Sequence, residues 1–260
     1  LATDILITKL LNIRPYEINE GETEKVYEWA VEQVCSGLTE DNFSDTFTRA
    51  IEAMNGIPTK REERPIIGIV GEFYTCMNSW SNNDIIKEFE SHGAEVRFGP
   101  TTTDFLVYYE HVYPSRNLAQ RKYIKALYYY LRRAWDIRWQ RRIESMLGDE
   151  LAEWKIPELD RRIEMAAPYV SPDIDPTVTI NISKAEGYAV QGCSGIANLI
   201  VLNCVFGSLA TAIYKKVQKE RNDIPLLTMI YDGLKQTNAK TRIEAFVHQV
   251  KSYDERYGIR

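Results

Sequence analysis

Pro65-Ile66-Ile67-Gly68-Ile69-Val70-Gly71 decides the fold. It is a short, continuous apolar run closed at one end by proline and at the other by glycine. A strand with one wet face alternates apolar and polar residues; an unbroken run of this length suits a strand covered on both faces, as in a parallel sheet. Downstream the period changes. Asn82 to His92 reads as a helix with Ile85, Ile86 and Phe89 on one side, and Gly93 follows as its stop. Ala94 to Phe98 reads as a second strand. Strand, helix and strand make a β-α-β unit, which is right-handed and parallel within one sheet.

Working outward, the alternation resumes after Pro176. Ile182 to Gln191 is expected to be helical, Ala197 to Asn203 a third strand, and Ser208 to Arg221 a helix. Pro225 to Tyr231 is a fourth strand and Thr241 to Tyr253 a last helix. The expected fold is therefore α/β: a four-stranded parallel sheet in the order 2-1-3-4, with helices on both faces. Residues 1–64 form an N-terminal helical arm. Its apolar positions Val26, Trp29, Ala30, Val34 and then Phe43, Phe47, Ala50, Ile51, Met54 recur at helical spacing. Residues 65–260 form the α/β domain, interrupted by a helical insertion at about 104–175. Within the insertion, Ile124, Leu127, Leu131, Trp135, Trp139 and Ile143 mark one long amphipathic helix, and a shorter one is expected near Ile156 to Ala167.

The bulk numbers bound the function. The 260 residues are 44% hydrophobic and 27% charged, ordinary values for a globular chain. A bilayer span needs roughly 18 apolar residues, and the longest candidate, Ile196 to Val205, has about half that, so no membrane partner is expected. The net charge of −5 predicts no nucleic-acid partner. Four scattered cysteines (Cys35, Cys76, Cys193, Cys204), with no CxxC pair, argue against a disulfide framework and fit a cytoplasmic protein.

Three stretches carry a family resemblance. The first is Arg14-Pro15-Tyr16-Glu17. The second runs through Ile69-Val70-Gly71-Glu72-Phe73-Tyr74, Asn82-Asn83 and Gly93-Ala94-Glu95-Val96. The third runs from Gly195-Ile196-Ala197-Asn198 through Cys204, Ile224-Pro225, Tyr231-Asp232-Gly233 and Asn238 to Thr241-Arg242-Ile243-Glu244-Ala245-Phe246. The pattern resembles the C-terminal region of large CoA-substrate-specific enzyme activase-like proteins, which are related to 2-hydroxyglutaryl-CoA dehydratase components. The resemblance implies the C-terminal portion of a longer protein. It further implies an accessory domain for assembly or electron transfer, working with other domains of the same polypeptide or with a dehydratase or activator subunit. The sequence has no Walker-type phosphate loop, so ATPase activity is not carried over. Where the family usually reads Pro-Phe-x-Cys-Met-Pro, this chain has Leu202-Asn203-Cys204-Val205-Phe206 and keeps the cysteine.

The sheet order selects candidate site residues. In an open parallel sheet, ligands bind beyond the carboxyl ends of the strands where the strand order reverses. Here that is between strands one and three. Glu72 to Met77 leaves the first and Asn203-Cys204 the third, which places Cys76 and Cys204 on one rim as candidate metal ligands. Cys204 would face a helix N-terminus, a position that favours thiolate. The competing reading is a small buried apolar residue. A [4Fe–4S] cluster takes four thiolates, so two on this rim need ligands from elsewhere. The same cleft is the candidate for an iron–sulfur or CoA-ligand site. Asp232 either contacts a ligand there or caps a turn beside Gly233, which is expected to adopt a positive φ. Arg242 either clamps a carboxylate or phosphate or pairs with Asp232. Glu72, a general base only if a partner is supplied, and Asn82 flank the loop after strand one. Finally, residues 116–142 hold nine Lys or Arg against one acid, Asp136, with tyrosines and tryptophans interleaved. That helix either docks an acidic partner or packs its aromatic residues on its own domain with the charges in water.

Overall fold

The computed structural model of the chain describes residues 1–99, 112–146, 159–171, 174–234 and 238–258. They group into two compact units: 1–59 with 100–159, and 60–99 with 160–260. Of the insertion expected within the α/β domain, the described residues 112–146 group instead with residues 1–59, while those from 160 onward stay with the sheet.

The first unit is helical. It contains α1 (Ala2–Ile13), a 3-10 turn (Arg14–Tyr16), α2 (Glu22–Thr39), α3 (Phe43–Asn55), α7 (residues 112–119) and α8 (Tyr123–Ser145). Leu6, Ala30, Phe47, Ala50 and Met54 form the centre of its core, and Ile143 of α8 joins them. The α2–α3 contact is close because Gly37 has no side chain; a Cβ there would lie 1.9 Å from Thr46 Oγ1. The Arg14-Pro15-Tyr16-Glu17 stretch is a helix-starting device. The Glu17 carboxylate accepts from the backbone N–H groups of Gly21 (2.7 Å) and Thr23 (2.8 Å), satisfying donors at the start of α2. Arg14 pairs with Glu24 at 3.0 Å and Tyr16 is buried.

The second unit is the α/β sheet. Its elements are β1 (Ile66–Gly71), α4 (Phe73–Met77), α5 (Ser79–Asn82), α6 (Ile85–Ser91), β2 (Glu95–Arg97), α9 (Leu159–Ala166, whose first residue falls to the other unit), α10 (Pro176–Val190), β3 (Gly195–Val201), α11 (Val205–Glu220), β4 (Leu226–Tyr231) and α12 (Ala239–Tyr257). The strands are all parallel in the order β2-β1-β3-β4. The register sets Ile67 beside Gly195 and Gly68 beside Ile196, so the two glycines point to opposite faces. Each makes room for a helix. A Cβ on Gly68 would lie 2.4 Å from Tyr188 of α10, and one on Gly195 would lie 2.4 Å from Val250 of α12. Helices α10 and α11 thus cover one face, through Ile182, Ala185, Tyr188, Ala210 and Tyr214. The other face carries α6 and α12, joined by the Phe89–Phe246 ring contact at 5.8 Å.

Element boundaries shift for local reasons. β3 ends at Val201 rather than Asn203, because Asn203 turns with φ 63° and Cys204 already caps α11. Helix α10 starts six residues before the expected Ile182. Asp175 accepts from Thr177 N–H at 2.8 Å and Pro176 occupies the first turn, a strong start signal. The expected helix near Ile156 is described only as Leu159–Ala166; residues 147–158 lie outside the described ones. No helix among the described residues is long and apolar enough to cross a membrane.

Candidate functional site

The carboxyl ends of β1 and β3 lie side by side, as the strand order requires. At the β1 exit, Gly71 adopts φ 134° and approaches β3 so closely that a Cβ would lie 2.0 Å from the Leu199 carbonyl oxygen. The next residue locks the junction: Glu72 N–H donates to that carbonyl at 2.7 Å. Gly71 N–H donates to Asn181 Oδ1 at 2.9 Å, and Asn181 Nδ2 donates back to the Thr177 carbonyl of its own helix.

The four candidate ligand side chains are each engaged by nearby backbone. Glu72 caps α4, accepting from Tyr74 N–H (3.1 Å), Thr75 N–H (2.8 Å) and the Thr75 hydroxyl (2.8 Å). Asn82 is buried; its Nδ2 donates to the Thr75 carbonyl at 2.8 Å and its Oδ1 accepts from Ile85 N–H. Asp232 Oδ1 accepts from Leu234 N–H at 2.9 Å, the turn-capping role, beside Gly233 at φ 84°. Arg242 does not meet Asp232 in a hydrogen bond. Its Nη2 donates to the Thr228 carbonyl of β4 at 2.6 Å.

The two rim cysteines have unlike surroundings. Cys76 is buried, and its Sγ donates to the Val70 carbonyl at 3.6 Å. Burial holds its thiol far above the usual range; the positive charge of Lys184 opposes this and Glu72 adds to it. Cys204 is part-exposed at the start of α11, where its sulfur accepts from Gly207 N–H at 3.3 Å. Cys193 sits in the turn before β3, at the amino end of the sheet, and burial pushes its thiol up to about 12. Cys35 is exposed on α2. Among the described residues, no three His, Cys, Asp or Glu side chains gather as a metal site.

Compared with known protein families, curated proteins and solved structures, the chain gives no match.

Sequence reasoning missed the polar side of α10 beneath the β1 exit. Thr177, Asn181 and Lys184 recur at i, i+4 and i+7, so they share one helix face. Asn181 holds Gly71, and Lys184 is close enough to act on the Cys76 thiol. Starting the helix at Asp175-Pro176 and applying the helical period would have aligned them. Two further polar groups lie inside this unit. Asn198 of β3 donates from Nδ2 to Thr211 Oγ1 at 2.9 Å, while its Oδ1 has no partner among the described residues. The Tyr214 hydroxyl is likewise without one, and burial raises its pKa, helped by Cys76 and Tyr188.

The rim can therefore offer one accessible sulfur to a reactant or a metal, from Cys204. The neighbouring carboxylates and amides serve to shape the loops that surround it.

Proposed function

We propose that this chain is an accessory domain of a protein like the 2-hydroxyacyl-CoA dehydratase activators. It acts by association with other domains of its polypeptide, or with a dehydratase or activator subunit, and has no ATPase activity of its own. The observation that supports this reading best is the use made of the rim. Glu72, Asn82, Asp232 and Arg242 each commit at least one polar atom to backbone close by, which is the chemistry of a scaffold. The test is anaerobic size-exclusion chromatography of the chain with a 2-hydroxyacyl-CoA dehydratase component, together with an ATP hydrolysis assay. Co-elution without hydrolysis is expected. Separate elution, or ATP turnover by the chain alone, overturns the reading.

A second reading, an iron–sulfur or CoA-ligand site at the β1–β3 cleft, is favoured by the position of Cys204. The residue is part-exposed just beyond β3, and its sulfur already accepts a backbone N–H at a helix start. The residues of this chain do not by themselves fit a [4Fe–4S] cluster, which takes four thiolates. Cys76 is turned inward, so Cys204 would be one ligand and the others would come from another chain or domain. Iron analysis of anaerobically purified protein tests this reading. Bound iron that falls on Cys204→Ser supports it, and iron that is absent or indifferent to Cys204→Ser removes it.

A further inference from the structure

Helix α8 turns the wrong way round for a helix that serves only its own core. Ala126 and Ile143 are buried, while Ile124 (87% exposed), Leu127 (60%), Leu131 (64%) and Trp135 (55%) face solvent. Exposed apolar side chains scattered singly are normal; a run of them along one helix marks an interaction surface. This surface is ordered. Trp135 and Trp139 stack with centroids 6.2 Å apart, and the Arg142 guanidinium lies 5.2 Å from the Trp139 ring. It is also basic: α8 carries Lys125, Arg132, Arg133, Arg138, Arg141 and Arg142 against Asp136 and Glu144.

The same unit holds a surface of opposite sign. From Glu17 to Asp45 there are nine acids and one base, Lys25. Glu28 and Glu32 are exposed one turn apart on α2, next to Trp29, which is 40% exposed. Exposed Glu40 and Asp41 continue the acidic surface at the end of α2. Neither face suits a copy of itself, because like charges would oppose. Each suits the other.

We propose that two copies of this chain associate reciprocally, with the basic aromatic face of α8 in one copy seated on the acidic face of α2 in the other. Reciprocity closes a two-fold dimer, since the α8–α2 contact then occurs twice. A stable interface of this kind needs about 800 Å² per partner, which two long helix faces can supply. Aromatic and arginine side chains are the types that carry binding energy at such interfaces. The proposal uses only these two faces and stands apart from the family reading.

Sedimentation velocity of the full chain at low and high salt tests it. The wild-type chain is expected to be dimeric at low salt, with dissociation promoted roughly tenfold or more by high salt, as screening requires. Arg138→Glu/Arg142→Glu and Glu28→Lys/Glu32→Lys are each expected to be monomeric at low salt, with circular dichroism like wild type and, at high salt where wild type is also dissociated, the same melting. Mixed one to one, the two variants are expected to form a heterodimer, because reversed α8 then meets reversed α2 while the second contact stays native. A wild-type monomer at low salt overturns the proposal. So do folded variants that dimerise like wild type, or a mixture that stays monomeric.

Discussion

Helices α12 and α8 carry similar apolar periodicity and meet opposite fates. In α12, Ile243, Phe246, Val247 and Val250 are buried on the α6 side of the sheet. In α8, Ile124, Leu127, Leu131 and Trp135 are exposed, and the buried positions are Ala126 and Ile143. A period of three to four apolar residues says that a helix has an apolar face. It does not say what covers that face. In α12 the cover is the sheet of its own unit; in α8 these side chains are left in solvent among the described residues.

The strongest way to break this contrast is to truncate the covered face. Phe246→Ala removes a ring packed on Phe89 and over Gly195, and should cost about 3–5 kcal/mol in chemical denaturation. A cost below about 1 kcal/mol would mean that α12 is not a core helix. Covered and uncovered thiols sharpen the same contrast. Cys35 and Cys204 are expected to react with a thiol reagent in the native state, while Cys76 and Cys193 wait for opening of the fold; prompt reaction of all four would contradict the structure.

Alkaline pH probes the same burial. Cys193 is raised from 9.0 to about 12 in the folded state, so its neutral form is favoured there. That contribution is complete below 9.0 and is lost as pH rises toward about 12; Cys76 and Tyr214, also raised, act in the same direction. Stability should fall over that window, and Cys193→Ala should make the fall shallower. A stability that rises there, or a slope indifferent to Cys193→Ala, contradicts this.

Smaller effects come from single contacts. Asp175→Ala removes the cap of α10 and should cost about 1 kcal/mol in the same denaturation experiment. The smallest belongs to the uncovered face: Trp135→Ala should change monomer stability by about 0.5 kcal/mol or less, measured at high salt. A loss as large as that of Phe246→Ala would show that α8 supports its own unit's core after all.

Much of the candidate site was legible. Strand order, the position of Cys204 at a helix start and the positive φ of Gly233 follow from punctuation by Gly and Pro and from the short apolar runs. The roles of Glu72 and Arg242 were not. Glu72 lies two and three residues before the N–H groups it caps, while Arg242 reaches a carbonyl fourteen residues back in the sequence, on another element. The polar face of α10 is not legible from the apolar run at Ile182, because Thr177 and Asn181 precede that run.

The sequence by itself determined a parallel β-α-β sheet in the order 2-1-3-4. Such strands are buried on both faces, and the apolar runs record that burial locally. Only the tertiary structure decided which groups those elements cover. It turned Cys76 inward and left Cys204 part-exposed, grouped α8 with the N-terminal helices, and set the tryptophans of α8 in solvent. Local patterns record which face of an element is apolar; what lies against that face depends on residues far away along the chain.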